Sequence, residues 1–316
     1  MGYRGKLITL SIIAIGLVAL YLTIGANGNW DYVLPRRGYK IAAIVLTGAT
    51  IAFSTMVFQT ITNNRILTPS IIGLDSLYLL IQTFIIFTFG SLSVVMINKH
   101  LNFAVSIGFM VIFAWLLFKL LFNREGRNIY FLLLVGLVFG TLFGSLTTFM
   151  QVLIDPNEFL MVQNRMFASF NNVNTDLFWT SVMLVIIIFI YSYRYIKYLD
   201  ILSLGKEHAV NLGVNYDQVV KRLLIVIAIL VAIATALVGP ITFLGLLVAN
   251  VAHEFMKTYQ HKYLIAGAVL ISIVALVGGQ LIVERIFAFS TPLSVIINFV
   301  GGVYFLYLLL RETKKW

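Results

Sequence analysis

The sequence predicts an all-α, polytopic membrane protein with about ten transmembrane helices. Hydrophobic residues make up 60% of the 316 positions and charged ones only 11%, against roughly 25% charged in ordinary soluble domains. The apolar residues come in successive runs of about 20, the length that crosses a hydrocarbon core as a helix. The connections between runs are short, so the chain reads as one unit, residues 1–316, with no room for a separate water-soluble catalytic domain. A soluble globular protein is excluded.

The first run, residues 7–25, follows Arg4 and Lys6. It is too long for a signal-peptide core and lacks a small-x-small cleavage site, so it is expected to stay as the first helix. Further helices are expected over 41–61, 71–90, 103–122, 129–153, 177–193, 223–238, 242–256, 264–283 and 294–310. Pro35, Pro69, Pro156, Pro240 and Pro292 all fall at expected helix starts or in connections, where a fixed φ and a missing N–H do no harm. Glycines within the runs, Gly48, Gly136, Gly140 and Gly245 among them, are expected to let helices approach closely.

The net charge of +10 comes from 22 Lys and Arg against 12 Asp and Glu. The basic residues lie singly or in pairs between apolar runs, with no basic helix and no stacking platform, so no nucleic acid is expected. They fit a positive-inside bias instead. An even number of spans puts both termini on one side, together with Arg65, Arg124, Arg127, the stretch 194–222, Lys257, Lys262, Arg311, Lys314 and Lys315. That side is expected to be the cytoplasm. Arg36, Arg37, Lys40, Lys99, Arg165 and Arg285 are left on the other.

Several chemistries have no residues to carry them. Cysteine is absent, which excludes disulfides and thiolate chemistry. No G-x-x-x-x-G-K-[ST] occurs, so ATP has to be handled by a partner. The four histidines show no ligand spacing, and no acid, base and metal constellation gathers at one face, so neither a metal site nor a catalytic residue is expected. Asp75 and Glu284 are the acids that fall within apolar runs. Asp75, read as two turns into a helix starting near Pro69, is expected to play a structural or path-lining role rather than relay protons.

Two connections are longer than packing needs. Residues 154–176 carry Asp155, Glu158, Arg165, Asn171, Asn172 and Asn174. Residues 195–222 contain the amphipathic stretch 203–214, in which Ala209 and Leu212 share a helical face bracketed by Gly205 and Gly213. Either a buried partner surface or a helix lying at the lipid interface fits that stretch.

This stretch reads Leu204-Gly205-x-x-x-Ala209-x-x-Leu212-Gly213-Val214 and is followed by Gly239-Pro240-Ile241-Thr242-Phe243-Leu244-Gly245-Leu246. Together the two motifs resemble the FecCD family, the permease subunits of ABC importers for iron-siderophores and vitamin B12. The likeness continues at Gly48-Ala49, Gln59, Asn64, Pro69 and Gly73 and over 292–310, and thus covers nearly the whole chain. Residues 60–76 and 237–257 look most like the Gram-positive permeases for petrobactin-type catecholate siderophores.

The resemblance implies the type II ABC importer permease fold and a bacterial plasma-membrane location, with both termini cytoplasmic. It also implies two ABC ATPase subunits holding ATP and Mg, a substrate-binding lipoprotein, a ferric siderophore as cargo and a second permease chain. A heterodimer is implied, with a homodimer as the alternative. Leu204, Gly205, Ala209, Leu212 and Gly213 then belong to the ATPase-coupling segment, about 195–222. Arg37, Lys40 and Arg285 match positions that dock the binding protein. No cofactor is expected on this chain, and it is not expected to be an enzyme. Vitamin B12 or haem as cargo is the alternative within the family, and an ion-coupled secondary transporter is the rival outside it.

Overall fold

The computed structural model describes residues 2–25, 30–122, 129–171 and 173–313, and Asn172, Arg124, Arg127, Lys314 and Lys315 lie outside these described residues. Along the chain it forms α1 (Tyr3–Thr23), α2 (Trp30–Thr62), a 3₁₀ turn (Pro69–Ile72), α3 (Leu74–Phe89), α4 (Val94–Ile97), α5 (Lys99–Phe122), α6 (Ile129–Leu153), α7 (Pro156–Met166), α8 (Thr175–Leu202), α9 (Lys206–Asn211), α10 (Tyr216–Val238), α11 (Leu244–Met256), α12 (His261–Arg285) and α13 (Leu293–Thr313). Each of the ten apolar runs is a helix. Among the described residues seven of them, α1, α2, α5, α6, α8, α10 and α12, are long and apolar enough to cross a membrane, whereas α3, α11 and the stretch Leu293–Leu308 of α13 are shorter.

The remaining helices are small and sit in the connections. In the 154–176 connection Pro156 opens α7, and the Asp155 carboxylate accepts the Asn157 N–H at 2.8 Å as the helix cap. At the other long connection α8 runs on to Leu202 and α10 starts at Tyr216, so what was read as 195–222 shrinks to residues 203–215, with α9 inside it.

Helix α2 is 33 residues long, roughly 50 Å, and starts well before the expected residue 41. Pro35 therefore lies inside the helix rather than at its start. That close to the N-terminus it removes one backbone hydrogen bond, a loss the helix tolerates. Helices α2 and α10 are the most buried of the seven long ones. Two apolar clusters form around them. One joins residues of α2, α3, α5, α6, α8 and α10, including Phe58, Ile72, Met110, Phe118 and Leu199. The other joins α1, α2, α11, α12 and α13, including Tyr21, Ile44, Met56, Val248, Leu276 and Leu293.

Helical backbone is interrupted inside the bundle at two places, residues 63–73 and 239–243. Hydrocarbon supplies no hydrogen-bond partners, so such backbone survives only where the protein supplies them. At the first break the Gln59 and Asn250 amides both donate to the Arg65 carbonyl, at 2.6 and 2.9 Å, and Asn64 Oδ1 accepts the Ile66 N–H at 2.9 Å. At the second, the Val238 carbonyl accepts the Ser169 N–H at 2.9 Å and Asn298 Oδ1 accepts the Phe243 N–H at 3.3 Å. Gly239 turns the chain with φ +101, a conformation closed to most L residues, and a β-carbon there would stand 2.9 Å from Ala168 Cα.

The 3₁₀ turn lies directly on α6. A β-carbon at Gly136 would stand 2.8 Å from Ile72 Cα and 3.0 Å from the Ile71 carbonyl oxygen. Small residues let backbones meet this closely inside a membrane. Gly136→Val is accordingly expected to destabilise the detergent-purified protein by the ~1–3 kcal/mol typical of overpacking, read as a lower thermal unfolding midpoint. Gly144→Val, on the same helix with no heavy atom within 4 Å of its β-carbon position, is expected to leave the midpoint unchanged.

Candidate functional site: a central crossing and two polar ends

The two breaks meet beside Asp75. Thr68, Pro69 and Ser70 come from the first, Ile241 and Thr242 from the second, and Ile51, Thr55, Val231, Thr235 and Gly245 complete a cavity of about 20 Å³. That volume holds about one water molecule and no substrate. Asp75 sits in the first turn of α3 rather than two turns in, because the backbone from Pro69 is a 3₁₀ turn closed by Gly73 at φ +87. Its carboxylate accepts a hydrogen bond from the Thr235 hydroxyl at 3.4 Å. The helix N-terminus favours a negative charge at this position.

At the end of the bundle away from the termini, Glu284 gathers three donors. Tyr21 Oη donates at 2.6 Å, Gln280 Nε2 at 2.9 Å and Lys40 Nζ at 3.1 Å, all to Oε1. A partly buried carboxylate is tolerable here because Lys40 pairs its charge and three donors converge on Oε1. The same elements close the end of α1. Arg37 Nη1 donates to the carbonyls of Tyr21, Leu22 and Ile24 at 2.9, 3.1 and 2.7 Å, and Arg285 Nη2 donates to Ile24 at 2.6 Å. Both guanidinium groups thus meet carbonyls that have no partner within the helix, at the negative end of its dipole. Arg36 contacts the Tyr32 hydroxyl and lies over its ring. A mouth of about 1090 Å³ opens here, lined by Arg36, Arg37, Lys40, Lys99, Asn174 and Glu284 among others.

Of the sequence-derived candidates, Arg37 and Lys40 line this mouth, and Arg285 meets Arg37 beside it at the Ile24 carbonyl. Their charges are also engaged within the chain, which spacing did not reveal. Arg285 and Tyr21 are the last and first parts of one cluster separated by most of the sequence, so no local pattern announces it.

At the opposite end, Gly205 at φ +95 and Gly213 at φ +79 bracket α9. Ala209 and Leu212 do not share an exposed face there. Ala209 is 0% exposed, packed into the cluster that contains Leu199, Leu202 and Val219, whereas Leu212 is 61% exposed. The helix ends at Asn211, so Leu212 already leaves the helical turn. Leu204, Val210 and Leu212 form the open apolar surface of the segment. Lys206 pairs with Asp217 at 3.1 Å across the connection, and Asn215 Oδ1 accepts the Gln218 N–H at 3.3 Å to cap α10.

A clasp missed by the sequence reading fixes the segment's base. His261 Nδ1 lies 2.6 Å from Asp200 Oδ1, which also accepts the His261 N–H at 2.8 Å, and His261 Nε2 lies 2.8 Å from Thr60 Oγ1. It ties α8, α12 and α2 together just ahead of Ser203. A cavity of about 660 Å³ beside it is lined by Ser203 and Leu204 together with Arg65, His253, Lys257 and His261. Among the described residues no group of three His, Cys, Asp or Glu side chains comes close enough to hold a metal ion.

Residues 7–311 match the FecCD transport family. The chain is 64% identical over 310 residues to the petrobactin import system permease protein YclO of Bacillus subtilis (strain 168), covering 98% of this chain and 97% of that one. Two proteins of Bacillus anthracis with the same system name are also similar. FatC is 34% identical over 316 residues, covering 98% of this chain and 89% of its own, and FatD is 26% identical over 314 residues, covering 96% and 90%. A solved structure of a metal-chelate type ABC transporter in an inward-facing conformation superposes with a TM-score of 0.82 at 22% identity, covering 98% of this chain and 99% of that chain. That likeness shows a shared fold, and with a family match spanning all ten apolar helices the chain belongs to the FecCD transport family.

Proposed function

We propose that the chain is the membrane permease subunit of an ABC importer that carries a ferric siderophore, a catecholate of the petrobactin type, into the cytoplasm. The observation that carries this reading is the 64% identity, over nearly the full length, to a petrobactin import permease. The chain is a multi-pass membrane protein, and its work is mechanical rather than chemical. ATP and Mg sit on two partner ATPase subunits, and the cargo arrives on a substrate-binding lipoprotein. FatC and FatD share one system name, which supports a second permease chain as partner and a heterodimer over a homodimer. An ion-coupled carrier finds little to work with here, because Asp75 faces a one-water cavity and Glu284 is already paired.

In this reading the termini and residues 203–215 face the cytoplasm, and the Glu284 mouth faces outward. The cation count supports the assignment, since most Lys and Arg fall on the termini side. The chain has no cysteine, so single Leu92→Cys and Lys206→Cys variants can be labelled cleanly. With an impermeant maleimide on intact cells, Leu92→Cys is expected to react and Lys206→Cys to react only after permeabilisation. Labelling of both from outside would reverse or break the topology.

Leu204, Gly205, Ala209, Leu212 and Gly213 form the coupling segment in this proposal, with the roles divided. The two glycines set the turns, Ala209 seats α9 on its own chain, and Leu204, Val210 and Leu212 offer apolar surface to the ATPase. Helix-in-groove contacts use such anchors. Leu212→Asp is expected to cut ferric-siderophore uptake at least about ten-fold at normal membrane levels, with loss of ATPase co-purification, as for an unpaired charge in a buried contact. Ala209→Asp is expected to lower the amount of folded permease instead, since it buries a carboxylate inside the chain.

Arg37, Lys40 and Arg285 remain the proposed docking set for the lipoprotein. Arg37 holds α1 through Nη1 and Arg285 through Nη2, which leaves other guanidinium N–H groups for carboxylates of the receptor. Charged interfaces of this kind act mostly on encounter and are weakened by salt. Receptor affinity is expected to fall as salt rises in the wild type, and to be both lower and nearly salt-independent in the Arg37→Gln/Arg285→Gln double variant. A wild-type affinity indifferent to salt would remove these residues from the docking surface.

A further inference from the structure

Six cations lie at the mouth end, and four of them are accounted for. Arg37 and Arg285 hold the last carbonyls of α1, Lys40 pairs with Glu284, and Arg36 lies over Tyr32. Lys99 and Arg165 remain. Both line one side cavity of about 420 Å³, enclosed by residues of α3, α5, α7, α8 and α10, and no carboxylate is among its lining residues. The nearby acid of α7, Glu158, is turned away to Ser91, whose N–H and hydroxyl it accepts at 2.7 and 3.0 Å. Lys99 is also the first residue of α5. A lysine there opposes the helix dipole, and its exposed side chain is in none of the ion pairs among the described residues.

Apolar residues and several polar groups make up the rest of the cavity wall. Arg165 reaches the hydroxyl of Tyr78, a residue only 2% exposed. Asn102, also buried, is locked by a reciprocal amide pair with Gln82, both bonds 3.2 Å, and Gln82 further donates to Ser106 at 2.9 Å. Asn164, Asn174 and Ser169 add donors around the two cations. Lys99 and Asn174 line the large mouth as well, so the side cavity adjoins it at these residues. Iron(III) held by catecholates carries net negative charge, because the deprotonated ligands bring more negative charge than the metal brings positive. Two uncompensated cations with carboxamide donors match oxyanions of that kind.

We propose that Lys99 and Arg165 form a substrate-receiving site in which an anionic, oxygen-rich arm of the ferric chelate enters the side cavity while the remainder stays in the mouth. The proposal rests on the siderophore reading above and assigns its specificity to residues distinct from the receptor-docking set. The oxyanion that fills such a cavity could also belong to a phospholipid headgroup, and the test separates the two sources.

The test compares wild type, Lys99→Gln/Arg165→Gln and Lys99→Arg/Arg165→Lys in cells lacking the endogenous copy, with membrane levels checked by immunoblot. For uptake of radiolabelled ferric petrobactin, the neutral pair is expected to raise KM at least about ten-fold with the maximal rate within about two-fold, and the conservative pair to restore KM. An unchanged KM in the neutral pair overturns the site. So does retention of phosphatidylglycerol by the purified wild-type complex, lost in the neutral pair, when KM for the chelate is equal in both. Wild-type cells importing no more than cells without the chain would instead refute the siderophore reading. Binding of ferric 2,3-dihydroxybenzoate to the complex in phosphatidylcholine nanodiscs then decides the cavity alone: weaker binding by the neutral pair upholds the oxyanion site, and equal binding overturns it.

Discussion

Everything distinctive in this bundle follows from the cost of leaving a peptide group without a partner where there is no water. Ten apolar helices satisfy nearly all of their own backbone, and the two interruptions at 63–73 and 239–243 are exceptions that had to be furnished from elsewhere. Gln59, Asn250, Ser169 and Asn298 provide the partners. These four come from α2, α11, the α7–α8 connection and α13, so each break pulls distant helices onto itself. The breaks are therefore also the places where the packing of several helices is decided at once. A movement of α11 relative to α2 would have to disturb the shared carbonyl of Arg65.

The same economy governs charge. Glu284 collects Lys40, Tyr21 and Gln280, and His261 joins Asp200 to Thr60. One cluster ties α1, α2 and α12 at the mouth, and the other ties α2, α8 and α12 at the end carrying the termini. Helices α2 and α12 belong to both, which makes this pair the frame, while α5 packs on α10, α6 on α3 and the 3₁₀ turn, and α13 on α11 and α12. Polar ties at both ends of a helix pair fix its rotation and register more sharply than apolar packing does, because hydrogen bonds have direction.

Much of this was legible in the residues, and the rest was hidden for identifiable reasons. Run length gave the ten helices, because a span needs about 20 apolar residues regardless of its neighbours. The break at Gly239-Pro240 showed itself through a proline, which lacks the N–H a helix interior needs, next to a glycine. The N-terminal part of α2 did not, since Trp30 to Lys40 is polar enough to read as a connection and is held as helix by contacts to α1 and α12. Ala209 and Leu212 satisfied helical spacing, yet the fold turned one inward and let the other leave the helix. Periodicity assigns faces only within an unbroken helix, and α9 has six residues. Arg37 and Arg285 stood out as unusual cations, but their common target, the end of α1, involves residues separated by up to 261 positions.

That separation bears on how the chain is made. Arg37 follows the Ile24 carbonyl by 13 residues, but Arg285 is synthesised 261 residues after it. Glu284, which receives Tyr21, comes off the ribosome at the same late moment. Until α12 is made, the end of α1 therefore lacks the Arg285 guanidinium and Tyr21 lacks the Glu284 carboxylate. The arrival of α12 then supplies both partners at once, so the seam between α1 and α12 joins helices made far apart in time.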